Sequence, residues 1–282
     1  MILPILYRIW AKARLEDLRP WVVKWDCPEI FAGTGGKGAE DASWLTAAHF
    51  ESLQLSEISL TGGIADILKC FDQILRPLLK VLLIRGGMPG RMVNAYMKYM
   101  DNLHVRNALA SCIGQAYNLP TGIPQGCPLS MMFIAFLLRP WISLMKSIDA
   151  KPRTLADDIM VYATAPNHAA TFTLASAFTH HYVNCIGAQQ AHTTSATFSN
   201  VRVTRQRLRI QVWKEIACTI NVILHGRDLG SHFNTGMVLY GTTINNRMRD
   251  AIDIVNRISR LSLHYFDKAK LIRTVALPRV CM

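Results

Sequence analysis

Acids stand among apolar residues at two places in the chain. Asp157 and Asp158 are adjacent within 153–162, a stretch otherwise built like a β-hairpin, and Asp66 follows Ile64 and Ala65 at the end of another strand-like run. Side chains alternate faces along a strand, so neighbouring carboxylates are hard to bury unless they lie at a turn and meet cations. Mg²⁺ suits such a place, because it takes carboxylate oxygens and commonly shares its shell with substrate phosphates. Each acid also has a plainer reading: a solvated Asp-Asp turn, and for Asp66 the N-cap of the helix that follows. Between them lies Gly122-Ile-Pro-Gln-Gly-Cys-Pro-Leu-Ser130, a tight turn feeding a helix, where glycine would let a bound base or sugar approach the backbone. An acid, a turn and an acid pair in this order are hard to assign to chance.

These segments resemble the motifs of reverse transcriptases. The run from Asp66 to Phe71 looks like motif A, Pro124-Gln-Gly-Cys-Pro-Leu-Ser130 like motif B, and Leu155-Ala-Asp-Asp158 like motif C. Motif B is the most specific string and the acid pair the least. The Gly-rich stretch 31–42 is similar to the region before motif A in non-LTR (LINE-like) retrotransposons. Asp228-Leu-Gly-Ser-His232 looks like a primer grip, and 270–278 like thumb helices. The likeness covers nearly the whole chain and thins between about Asn200 and Asn221.

What the resemblance implies is RNA-directed DNA synthesis. Asp66 and Asp157 would hold two Mg²⁺ ions (Mn²⁺ being an alternative), with Asp158 supporting them; such ions activate the primer 3′ oxygen and stabilise charge passing to pyrophosphate. Phe71 would be a steric gate against the ribose 2′-OH, though core packing explains a phenylalanine equally well. Gln125 and Gly126 would line the incoming nucleotide and the template base. Arg247, Arg249, Arg257 and Arg260 would contact duplex phosphates without reading sequence. The implied partners are an RNA template, a DNA primer and deoxynucleoside triphosphates.

Two features depart from the family. After Gly187, Thr194 stands where motif D usually carries lysine, with His192 two residues earlier. If that lysine protonates the leaving pyrophosphate, either His192 substitutes or turnover is slow; His192 also reads as a plain surface residue. The sequence starts in what looks like the second finger motif, so the upstream triphosphate-binding basic residues are expected to be missing. Arg8, Lys12 and Lys37 are substitutes or ordinary surface charges. A catalytically inactive remnant, acting at most as a basic RNA-binding protein, is the alternative function.

Composition agrees with a polyanionic partner. Across 282 residues the formal net charge is +12 and the pI about 9.6, and each phosphate neutralised by Lys or Arg releases counterions. Half the residues are hydrophobic, which excludes a disordered tail. The seven cysteines are scattered without C-x-x-C spacing, as expected of reduced thiols in a nuclear or cytoplasmic protein. Apolar residues 131–138 end at Arg139, short of the ~20 residues a membrane helix needs. No targeting peptide is expected.

The elements that must position these residues read as α+β. Helices are expected over 5–18 (ended by Pro20), 39–53, 76–84, 91–100 and 128–146. A strand runs through Ile58 and Leu60, past Gly62 and Gly63, to Asp66. A hairpin is expected over 103–117, another over 153–162 with the acids at its tip, and further strands over 207–212, 219–224 and 229–233. A C-terminal helix carries Ile244, Met248, Ile252, Val255, Ile258 and Leu261 as one apolar stripe. No βαβ rhythm is visible. With the resemblance this becomes a right-hand polymerase fold: partial fingers (1–60), a palm with an antiparallel sheet and primer grip (61–240), and the start of a thumb (241–282).

Overall fold

The computed structural model describes residues 3–109, 112–228, 231–236 and 242–278. It opens with α1 (Ile5–Asp17) and α2 (Arg19–Val22). Pro20 does not simply stop the first helix. It sits in the first turn of α2, where its missing N–H has no intrahelical partner to lose. Helix α3 (Ala39–Leu55) leads into β1 (Leu60–Asp66), followed by α4 (Cys70–Gln73), α5 (Arg76–Arg85) and α6 (Gly90–Asp101). The expected hairpin consists of four short strands, β2 (His104–Val105), β3 (Ala108–Leu109), β4 (Cys112–Ile113) and β5 (Tyr117–Asn118), with β2 on β5 and β3 on β4. Its Ala110 lies outside the described residues.

Next come α7 (Ser130–Ser147), β6 (Lys151–Leu155), β7 (Asp158–Thr164), α8 (His168–Cys185) and β8 (Ala196–Ser199). Then α9 (Arg202–Ile210), β9 (Asn221–Ile223), β10 (His225–Asp228) and β11 (Ser231–Asn234) precede α10 (Thr242–Ser259) and α11 (Tyr265–Leu271). The strand expected at 207–212 is mostly helix, because Thr204 and Leu208 are four residues apart and bury together, as a helix face requires. For the strand expected at 229–233, Leu229 and Gly230 lie outside the described residues; β11 begins at Ser231.

The central sheet has the order β6-β7-β1-β8-β9. β1 is antiparallel to both β7 and β8, whereas β8 and β9 are parallel and joined through α9. Among the described residues one βαβ crossover therefore exists where none was expected; the end of α9 falls in the strand expected at 207–212, which hid it.

Gly62 and Gly63 lie inside β1. A Cβ at Gly62 would stand 2.5 Å from the Tyr162 Cβ, and one at Gly63 would stand 2.9 Å from the Phe172 ring. Their smallness lets large side chains close over the strand from both faces. Beneath one face, α7 and α8 bury Phe133, Trp141, Phe172 and Val183, and the Trp141 indole donates to Thr179 Oγ1 at 3.0 Å. Over the other, Phe50 and Leu53 of α3 pack with Leu60, Met160, Phe198 and Phe233.

On α10 the buried residues are Ala251 and Ile258, while Met248, Ile252, Val255 and the following Leu261 are exposed. Of the expected stripe only Ile258 is buried among the described side chains, joined by Ala251, which was not in it; the Ile244 side chain lies outside what is described. The six described cysteines are free. No helix among the described residues is long and apolar enough to cross a membrane.

Candidate active site

Asp66 is the last residue of β1, and its partner across the sheet is Asp158, the first residue of β7. Opposed residues of antiparallel strands project from the same face, so these carboxylates start as neighbours. Asp157 precedes Asp158 in the turn between β6 and β7, beside Ala156, whose φ of +54° is left-handed. An alanine held there costs roughly 1–2 kcal/mol, strain that the paired strands on either side impose.

Burial pushes the Asp157 carboxyl above its ordinary pKa, and the negative charge of Asp66 pushes it further. Cys70, buried at the start of α4, feels the same pair. Burial first, then the charges of Asp157 and Asp66, push its thiol up to about 12. One thiol sensing both acids puts the end of β1, the β6–β7 turn and α4 around a single spot.

Asp66 is not a helix N-cap. Lys69 stands before α4, and Asp66 is instead held by 191–195. Its N–H donates to Ser195 Oγ (3.2 Å), its carbonyl accepts from the Ala191 N–H (2.8 Å), and its Oδ2 accepts from Thr194 Oγ1 (2.5 Å). Thr194, where the sequence resemblance leads one to expect a lysine, thus touches Asp66.

The turn at 121–126 is fastened to the segment after Asp66. The Ile123 N–H donates to the Phe71 carbonyl at 2.7 Å, the Gly122 N–H to that of Ile74 at 2.8 Å, and Thr121 Oγ1 to that of Asp72 at 3.1 Å. Gly122 has φ +82°, and a Cβ there would stand 2.7 Å from the Asp72 carbonyl oxygen. Buried Arg76 completes the fastening by donating to the carbonyls of Gly122 (2.7 Å), Thr121 (3.1 Å) and Met100 (3.3 Å). Phe71 is half-buried against the main core, so core packing accounts for part of its role. Gln125 and Gly126 are exposed in this turn, and Gly126 has φ +91°.

Arg249, Arg257 and Arg260 are exposed on or just after α10, and Arg247 is half-buried. Sequence reasoning did not single out Arg76, Thr194 as a partner of Asp66, or the arginines of α9. The signal for Arg76 was an arginine at the head of a helix that carries two further cations, Lys80 and Arg85, both exposed while Arg76 is buried.

The donor set is all oxygen, as a hard divalent cation prefers. Among the described residues, however, no three His, Cys, Asp or Glu side chains are gathered as a group that could hold an ion. Asp66, Asp157 and Asp158 are adjacent without converging, and one Asp66 oxygen is engaged by Thr194. The chemistry of the residues fits, and the second oxygen of Asp66 is not taken by the Thr194 bond.

No protein-family model matches the sequence, and no curated protein does. Among solved structures, telomerase from Candida tropicalis in complex with a TWJ fragment of telomeric RNA superposes with a TM-score of 0.50 at 12% identity, covering 98% of this chain and 46% of that one. The apo telomerase truncated from its C-terminal domain gives 0.48 at 14% identity, over 68% of this chain and 40% of that one. The chain therefore spans less than half the length of the telomerases it resembles. At 12% identity the likeness is one of fold alone, and at that level the chain has a reverse-transcriptase-like fold.

Proposed function

We propose that this chain is the catalytic portion of an RNA-directed DNA polymerase of the non-LTR retrotransposon kind. The observation that carries the reading is the direct pairing of Asp66 with Asp158, with Asp157 in the adjoining turn and the motif B turn hydrogen-bonded to Phe71. Asp66 and Asp157 would hold Mg²⁺, supported by Asp158, and the ions would supply activation of the attacking oxygen and charge stabilisation at phosphorus. The chain's own residues do the positioning. Ser195, Ala191 and Thr194 orient Asp66; Arg76 and Gly122 hold the turn that presents Gln125 and Gly126; Phe71 closes the space beside it. The RNA in the telomerase complex and the charge of +12 both favour a template strand as partner. Exposed Arg249, Arg257 and Arg260, with Arg247, would contact the duplex backbone.

The test is primer extension on an RNA template with Mg²⁺ and deoxynucleotides. Wild type should extend the primer, and Asp66→Asn or Asp157→Asn should abolish extension while remaining folded. Extension unchanged in both variants, or absent from folded wild type, overturns the proposal.

The Thr194 contact favours a second reading, an inactive remnant that binds RNA. It has no lysine at that position, and a carboxylate oxygen needed for metal is engaged. That reading predicts RNA binding insensitive to Mg²⁺ and to both substitutions.

A further inference from the structure

The segment where the likeness to reverse transcriptases thins folds into the only described parallel crossover of the sheet, β8-α9-β9. Its helix reads Arg202-Val-Thr-Arg-Gln-Arg-Leu-Arg-Ile210: four arginines and no acid. Thr204 and Leu208 are buried. Arg202, Arg205 and Arg209, spaced i, i+3 and i+7, lie along one side. Burial, then the charges of Arg209 and Arg202, hold the Arg205 guanidinium below its ordinary pKa, so Arg205 lies within reach of both neighbouring cations.

No described ion pair involves any of them. Arg205 is oriented by donating from Nη1 to the Ser199 carbonyl at 2.8 Å. Arg209 opens onto a concavity of about 400 Å³ that it shares with His192, Thr193, Thr219 and Asn221. The concavity's far lip, His192 and Thr193, immediately precedes Thr194, which holds Asp66.

Like charges crowded on one helix face repel, and among the described residues no carboxylate pairs with them. A phosphate chain would. We propose that the Arg202–Arg205–Arg209 face of α9, with the concavity at Arg209 and His192, is a binding surface for the phosphodiester backbone of a nucleic-acid strand approaching the acidic site. This surface is separate from α10 and holds whether or not the chain polymerises. Guanidinium groups pair with phosphate oxygens in a planar fork, independent of base sequence, so binding here should be sequence-neutral and strongly salt-dependent.

The test is fluorescence anisotropy of a single-stranded RNA oligonucleotide with the whole chain, across a series of salt concentrations. The triple substitution R202Q/R205Q/R209Q should reduce the slope of log affinity against log salt by about 2, because each phosphate contact to a single strand contributes roughly 0.7. A control that removes as many exposed charges from α5 and α6, K80Q/R85Q/R91Q, should leave the slope within error of wild type. If losing the Arg205 contact unfolds the triple variant, R202Q/R209Q keeps that contact and should still lower the slope by about 1.4. An unchanged slope in a folded variant overturns the proposal, as does an equal loss in the control. Inorganic pyrophosphate supplies the last arm: if it displaces the RNA as effectively as unlabelled RNA does, at equal phosphate concentration, the site takes free phosphate and the strand assignment fails.

Discussion

The hydroxyl of Thr194 donates a 2.5 Å hydrogen bond to Oδ2 of Asp66, joining the segment 191–195 to the first acid of the candidate site. A lysine at this position would bring a cation to the acid. A threonine brings only a neutral donor, and it constrains the carboxylate that a metal would need.

Removing that donor should free the carboxylate. Thr194→Val keeps the shape and loses the hydroxyl; it should tighten Mg²⁺ or Mn²⁺ binding, read by titration calorimetry, at a stability loss of about 0.5–1.5 kcal/mol. An unchanged metal affinity would mean that Asp66 turns without hindrance from Thr194.

Asp157 should give the stability a recognisable pH dependence. Its folded pKa is raised, chiefly by burial and then by Asp66, so the folded state prefers the protonated acid. The stability this contributes is present below the unfolded pKa of about 3.9 and is lost as pH rises through the folded value. Asp157→Asn should therefore stabilise the metal-free protein at neutral pH, with the gain disappearing in acid. Urea denaturation at pH 7 and at pH 3.5 checks it; a variant that is less stable than wild type at pH 7 contradicts the assignment.

Phe71 separates a gate from a core residue. Full truncation of a buried phenylalanine costs about 3–5 kcal/mol, and Phe71 is only half-buried, so Phe71→Val should cost less and stay folded. If Phe71 is the gate, Val and Ala both lower the ratio of deoxynucleotide to ribonucleotide incorporation on one RNA template. A ratio that does not fall in folded, active variants makes the ring a packing element alone.

Arg76 and Gly122 hold the motif B turn from two sides. Arg76→Met removes the guanidinium and leaves buried carbonyls without donors, at about 1–3 kcal/mol for each group left unpaired. Gly122→Ala combines a left-handed φ with a Cβ driven against the Asp72 carbonyl, so it should destabilise by at least ~1–2 kcal/mol. Thermal melts of both variants check this. Stability within 0.5 kcal/mol of wild type, in the usual range of ~±0.5 kcal/mol for surface changes, would show that the turn does not depend on them.

Much of the site's framework was legible because its signals are local. Acids at the ends of apolar strand runs, the Pro-Gln-Gly turn and the helix opening after Pro128 all lie within a few residues of their cause. Helix α9 was misread for the same reason. Arginines alternating with Leu208 and Ile210 look like a half-buried strand until Thr204 and Leu208 are seen buried together, a choice made by the sheet beneath them. On α10 Ile258 of the expected stripe is buried, but Ala251 joins it while Met248, Ile252 and Val255 stay exposed, because which side faces inward depends on what packs there.

By itself the sequence determined which residues can do chemistry and which local elements carry them, because side-chain type, turn propensity and apolar period are properties of short stretches. Only the tertiary structure decided the long-range pairings. Opposing Asp66 to Asp158 depends on the register of two strands far apart in the chain, and fastening Thr194 to Asp66 depends on 191–195 folding back across β1. Register and fold-back follow from which side chains fill the space around Gly62 and Gly63, a packing condition that no single stretch of sequence contains.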